Sequence, residues 1–135
     1  MDRLIVAVVL VVLSVAAAVA INRRQAGAPL TIRHGVVPSR VRPEDVGLPA
    51  GAAIVIFTEA TCRSCRQALA LIKGPAGAEL PVAEIEYGQQ RPLHDQYGID
   101  TVPTTVVVDA EGVVVGGWTG SIDPGLLAAA LAEVV

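Results

Sequence analysis

The junction around residues 53–72 constrains this chain more than any other feature. The apolar, β-branched run Ala53-Ile54-Val55-Ile56-Phe57 is followed, after a short turn over Thr58 to Thr61, by Cys62-Arg63-Ser64-Cys65. From Cys62 onward, Ala68, Leu69, Leu71 and Ile72 fall on one face of a helix. A continuous rather than alternating apolar run predicts a fully buried strand over Ala52–Phe57. Lys73 and Gly74-Pro75 predict where the helix stops. The chain's 2 cysteines are both in this motif, so no separate structural disulfide is available and cysteine usage does not reveal the redox compartment. Two thiols three positions apart at the first turn of a helix can close into a small disulfide and reopen. The unpaired N–H groups and positive dipole end of the helix favour a thiolate there.

A second constraint lies at the N-terminus. Leu4 to Ile21 is apolar throughout except for Ser14, and crossing a bilayer core takes about 20 apolar residues. Residues 1–22 are therefore expected to form a transmembrane anchor. A cleaved leader is the alternative, because Ala18-Val19-Ala20 has the form of a signal-peptidase site. Against it, Met1-Asp2-Arg3 is barely positive, and Arg23 and Arg24 follow at once. The expected location is the cell membrane, in a single pass. Arg3 alone precedes the span, whereas Arg23, Arg24 and Arg33 follow it, and counted this way the domain faces the cytoplasm. An extracytoplasmic domain is the alternative, since disulfides persist there. The net charge of −3 gives no reason to expect nucleic acid as a partner.

Residues 23–49 carry Gly27, Pro29, Gly35, Pro38, Pro43, Gly47 and Pro49, and are expected to be a linker with short irregular structure. Within it, Leu30-Thr31-Ile32 and Val36-Val37 are candidate short strands, and Pro43 to Gly47 a helical turn. The domain proper is expected over 50–135. Pro81 to Glu86 alternates as a strand does, Arg91 to Tyr97 is a short helix ended by Gly98, and Thr104–Val108 is a β-branched strand. Asp109-Ala110-Glu111-Gly112 turns it into Val113-Val114-Val115 as an antiparallel hairpin. Asp123-Pro124 opens a last helix with Leu126, Leu127, Ala130 and Leu131 on its apolar face. The order is α/β with mixed strand directions.

This pattern resembles the thioredoxin family. The resemblance runs from about Ala52 to Val135 and rests on the buried strand leading into Cys62-x-x-Cys65, on Tyr97-Gly98-Ile99-Asp100-Thr101-Val102-Pro103-Thr104 directly before a strand, and on the hairpin and terminal helix that follow. The anchor, the Arg pair and the composition add a looser likeness to membrane-anchored thioredoxin-like proteins of high-GC bacteria. The resemblance implies a thioredoxin-like mixed sheet flanked by helices, preceded by one transmembrane helix. It implies a cis bond at Pro103, facing the disulfide, with Val102 turned toward a substrate chain that pairs like a strand. Gly120 would lie near the same surface, where a small residue lets a partner approach. Three departures matter. Thr61 stands where the family usually has Trp, Arg63-Ser64 stands where it has Gly-Pro, and Ile56 stands where it tends to bury an Asp that relays a proton to the second cysteine.

Under this resemblance Cys62 attacks and Cys65 resolves the mixed disulfide. Arg63 and Arg66 are either solvated side chains or groups that stabilise the thiolate and favour anionic partners. Thr61, Arg63, Val102, Pro103, Thr104 and Gly120 are the expected substrate-binding residues. Glu84, on the neighbouring strand, is a surface residue or a substitute for the missing Asp. Trp118 is expected to pack rather than to touch substrate. A zinc site would need four ligands from Cys62, Cys65, His34 and His94; the histidines lack the usual spacing, and His94 is expected to be a solvated helix residue and His34 a linker residue. No cofactor is expected. The expected partners are protein thiols or disulfides and an electron-donating dithiol protein or membrane electron carrier. The alternative is a non-catalytic redox sensor or assembly subunit of a membrane complex.

Overall fold

The computed structural model describes residues 1–26, 37–74 and 79–135. His34, Arg33, the candidate strand Leu30-Thr31-Ile32, Val36 and Pro75 lie outside these residues. The first helix, α1, is Asp2–Ala26. Its one polar side chain over the apolar stretch, Ser14, donates its hydroxyl to the Leu10 carbonyl at 2.8 Å, which satisfies it within the helix. The stretch Asp2–Ala20 is long and apolar enough to cross a membrane, a property that signal sequences share.

Four strands form the sheet: β1 (Ala53–Thr58), β2 (Val82–Glu86), β3 (Thr104–Val108) and β4 (Val114–Thr119), in the order β2-β1-β3-β4. β1 runs parallel to β2 and antiparallel to β3, and β3 is antiparallel to β4. The two central strands, β1 and β3, are buried at every position, which is why both read as unbroken apolar or β-branched runs. Three helices flank the sheet: α2 (Arg63–Lys73), α3 (Tyr87–Gln96) and α4 (Pro124–Val134).

Alternation along β1 separates two cores. Ile54 and Ile56 pack with Ala68 and Ile72 of α2 and with Leu127 and Ala130 of α4. Ala53, Val55 and Phe57 face the other way, toward Leu93 of α3, Tyr97, Val41 and Val46. Val41 and Val46 belong to the stretch 23–49 expected to be a linker, of which residues 37–49 are instead packed onto the domain. The Val41 N–H donates to the Gly112 carbonyl at 2.9 Å, and the Val114 N–H donates to the Ser39 carbonyl at 3.0 Å. A 3-10 turn, Pro43–Val46, carries Asp45, which accepts from the Tyr97 hydroxyl at 2.6 Å and from Gln96 at 3.1 Å. Pro38, Pro43 and Gly47 turn the chain between Val37, Val41, Val46 and Leu48. These apolar residues have no regular period.

The turn Asp109–Gly112 forms as expected. The Asp109 side chain accepts from the N–H groups of Glu111 and Val113, both at 2.9 Å. Gly112 has φ +77°, and a Cβ there would lie 2.9 Å from the Val41 carbonyl oxygen, so both conformation and space call for glycine. Two boundaries differ most from expectation. β4 extends through Gly116, Gly117 and Trp118 to Thr119, because its edges are held by β3 rather than by local propensity. Helix α3 begins at Tyr87, four residues early. The Glu86 carboxylate caps it by accepting from Gly88 N–H at 2.9 Å and Gln89 N–H at 3.0 Å. Inside it, Gln90 departs from helical geometry (φ −135°, ψ 41°), a kink just before Pro92.

Candidate functional site

Cys62 occupies the N-cap of α2, with extended backbone geometry, and the Cys65 N–H donates to its sulfur at 3.1 Å. The two sulfurs form a disulfide, with Cα atoms 5.3 Å apart. Cys62 is half-buried, whereas Cys65, one turn further in, is 2% exposed. The Ser64 hydroxyl lies 3.5 Å from the Cys62 sulfur, to which it donates in the disulfide form. The first turn of α2 contains no acidic residue, and Arg63 and Arg66 are exposed on it. Once the disulfide opens, a Cys62 thiolate at this helix end has the dipole and the cap N–H in its favour.

The loop that presents Cys62 is fastened from below. The Cys62 N–H donates to the Glu59 carbonyl at 3.1 Å. The Glu59 carboxylate accepts from the Thr61 hydroxyl at 2.6 Å and from the Thr61 N–H at 3.1 Å. These two bonds, the hydroxyl first, hold the Glu59 carboxyl below its ordinary range. Thr61 is therefore exposed and engaged in a turn.

The pairing register brings further residues to the same end of the sheet. Thr104, at the start of β3, is opposite Phe57, near the end of β1, and opposite Thr119, at the end of β4. The Val102–Pro103 bond is cis, and Pro103 is buried. The Gly120 N–H donates to the Pro103 carbonyl at 2.8 Å. Gly120, with φ +77°, has open space where a Cβ would point. Thr104 is buried, its hydroxyl donating to the Thr101 carbonyl at 2.6 Å, so its side chain turns inward while Val102 is half-buried. A cleft of 220 Å³ separates Ser64, Gln67 and Leu71 of α2 from Ser121 and Ile122. The Gly120–Ile122 segment thus adjoins both Pro103 and the cysteine helix. No sequence signal marked Ser121 and Ile122.

Ile56 is completely buried on the α2 face of the sheet. Glu84 is its partner on β2 and Thr105 its partner on β3. Glu84 is exposed and its carboxylate accepts from the hydroxyl of buried Thr58 at 3.0 Å. Thr58, expected in the turn, instead ends β1 as the partner of Glu86, and Thr105 lies inside a β-branched strand where a threonine reads as a strand former.

His94, expected to be solvated, is 1% exposed. Its Nε2 donates to the Ile85 carbonyl at 2.8 Å, and its ring stands edge-on to Phe57 and Tyr87, each with centroids 5.2 Å away. These contacts commit it to the core on the α3 side. Among the described residues, no three His, Cys, Asp or Glu side chains gather as a metal site.

No protein-family model matches the chain, and no curated protein sequence does. Solved structures do. A thioredoxin of Malassezia sympodialis, Mala s 13, shares 20% identity at a TM-score of 0.53, covering 76% of this chain and 98% of its own. A Schistosoma mansoni thioredoxin pre-protein, solved reduced, shares 16% identity at 0.53, covering 63% and 80%. A Fasciola hepatica thioredoxin shares 19% identity at 0.53, covering 64% and 83%. The globular part of this chain has a thioredoxin-like fold.

Proposed function

We propose that this chain is a membrane-tethered thiol–disulfide oxidoreductase that exchanges disulfides with protein partners through Cys62 and Cys65. The observation that carries this reading is the asymmetry of the pair: one half-exposed sulfur at a helix N-cap and one buried sulfur a turn behind it. In the reducing direction, the Cys62 thiolate attacks a partner disulfide, forming a mixed disulfide and releasing one partner thiolate. The Cys65 thiol then loses its proton to solvent and its sulfur attacks Cys62. This closes the Cys62–Cys65 bond and frees the second partner thiolate, so two electrons pass to the partner. The reverse sequence oxidises a partner dithiol. Electrons are restored by another dithiol protein or a membrane electron carrier, and no bound cofactor is needed.

Val102 and Pro103 offer a backbone against which a partner segment lies as an added strand. Thr61, Arg63 and Gly120 border it, and the Thr104 contribution is that of its backbone. The tether is the apolar stretch Asp2–Ala20 of α1, and the arginines that follow that stretch favour a cytoplasmic domain by the positive-inside rule. A second reading, a responsive but non-catalytic sensor or assembly subunit, is favoured by one observation: the fully buried Ile56, at the position where the resembled family tends to bury an Asp, supplies no base. The test is a trap. Cys65→Ala in the full-length chain is expected to accumulate partner proteins disulfide-bonded to Cys62, released by reductant. A chain that captures none in its own cells is no exchanger.

A further inference from the structure

Among the described residues, the hydroxyl of Thr105 is the one buried side-chain nitrogen or oxygen with no hydrogen-bond partner, in a residue that is 0% exposed. A buried, unsatisfied hydroxyl is costly and calls for an explanation. The sheet does not supply one. Valine has the same branched shape and fills the next three positions of β3, Val106 to Val108, all fully buried.

The placement does supply one. Thr105 is opposite Ile56 in the antiparallel ladder and so shares its face of the sheet. That face packs against Ala68 and Ile72 of α2. The buried stripe of α2 is Cys65, Ala68 and Ile72, spaced as one helix face, with Cys65 at the end that follows β1 most closely. Cys65 therefore lies on the side of α2 that packs toward the sheet face carrying Thr105. While the disulfide is closed, the Cys65 sulfur has no proton to donate. When it opens, the same sulfur, 2% exposed, becomes an S–H donor or a thiolate acceptor in a place water hardly reaches. Ile56 can offer it nothing. The other buried hydroxyl on this face, that of Thr58, already donates to Glu84 at 3.0 Å.

We propose that Thr105 is the hydrogen-bond partner of the Cys65 sulfur in the reduced protein, its hydroxyl unsatisfied only while the disulfide is closed. The inference rests on the exchange reading above. On reduction a dithiol donor becomes a disulfide, and its two electrons and two protons break the Cys62–Cys65 bond into two thiols. The Thr105 oxygen accepts from Cys65 S–H, and when Cys65 ionises the rotated hydroxyl donates to the thiolate. The proton itself leaves to solvent. The hydroxyl thus stabilises the open form alone and substitutes in part for the carboxylate absent at Ile56.

The experiment compares full-length wild type, Thr105→Val and Thr105→Ser in graded dithiothreitol redox buffers, with thiols counted after alkylation. Thr105→Val is expected to shift the equilibrium toward the disulfide by about threefold to tenfold, or about 14 to 30 mV toward more negative potential for this two-electron couple. Thr105→Ser is expected to stay with wild type. The melting temperature of Thr105→Val should hold or rise in the oxidised form and fall in the reduced form, a split that a merely structural hydroxyl would not give. A second readout leaves Thr105 intact: in Cys62→Ser the Cys65 S–H stretch should sit at a hydrogen-bonded frequency. An unmoved potential in Thr105→Val, equal melting shifts in both forms, or a free S–H stretch would overturn the proposal. If wild type equilibrates and Thr105→Val matches it, this inference alone falls. If the wild-type pair never equilibrates, the exchange reading falls and takes this inference with it.

Discussion

The two faces of the sheet treat buried polarity in opposite ways. On the α3 face the fully buried polar side chains among the described residues have their partners. His94 donates to Ile85, and Tyr97 donates to Asp45, whose carboxylate also meets Arg42 at 3.5 Å and takes a bond from Gln96. On the α2 face a hydroxyl is left unpaired at Thr105, an apolar Ile56 stands beside it, and the helix that packs there begins at the disulfide. A face that only has to hold together leaves no group unsatisfied. A face that must exist in two covalent states cannot satisfy both with one arrangement. The comparison teaches where to look for chemistry in this molecule: on the side where the polar accounting fails to close.

The comparison breaks most visibly at Cys62. Cys62→Ser is expected to abolish disulfide exchange while leaving the α3 face as it is. Retained turnover, followed by the reduction of a generic disulfide-bonded protein, would move the chemistry elsewhere. The next largest effect lies on the opposite face. Phe57 is fully buried, with its ring edge-on to His94 and tilted against Tyr97 at 6.1 Å. Phe57→Ala should cost about 3–5 kcal/mol of unfolding free energy by denaturant titration. It should leave the Cys62–Cys65 equilibrium unmoved, and a shifted potential would show the faces to be coupled. Smaller again is Gly116→Ala. Its Cβ would lie 2.7 Å from the Ala130 Cβ and 2.9 Å from the Trp118 ring. Overpacking there should cost about 1–3 kcal/mol in the same titration.

The smallest expected effect is in pH dependence, and it belongs to the α3 side. The Tyr97 hydroxyl above all holds the Asp45 carboxyl below its ordinary range; burial, the next largest effect, opposes it, and the Arg42 charge and the Gln96 bond add to the lowering. A depressed folded pKa means stability present above the unfolded carboxylate range and lost as pH falls through the folded value. Burial first, then the bond to Asp45, raises the Tyr97 hydroxyl above its ordinary value, so its contribution is present below the unfolded tyrosine range and lost as pH rises through the folded one. Unfolding midpoints against pH should fall off at both ends, and Asp45→Asn should flatten the acid limb. An unchanged acid limb would remove Asp45 from the account.

Legibility in the sequence follows the range of the interaction. The strand Thr104–Val108, the Asp109–Gly112 turn and the Asp123 cap, which accepts from Leu126 N–H at 2.9 Å, were legible because a few neighbouring residues determine each. The strand–Cys-x-x-Cys–helix junction was legible for the same reason. The packing of Val41 and Val46, the burial of His94 and the place of Trp118 inside β4 depend on partners far along the chain. Nothing near those residues announces them. Thr105 was the least legible of all. In sequence it is one more β-branched residue, and only the register that sets it beside Ile56, together with the absence of any partner, distinguishes it.

The central claim is that Cys62 and Cys65 cycle. The most direct measurement is the number of substrate disulfides reduced per full-length chain, with the chain held far below the substrate concentration and a dithiol reductant supplied in excess. The account predicts many equivalents per chain above the uncatalysed background, falling to that background in Cys62→Ser. One equivalent or less, however long the reaction runs, would contradict it and leave a pair that responds once and does not turn over.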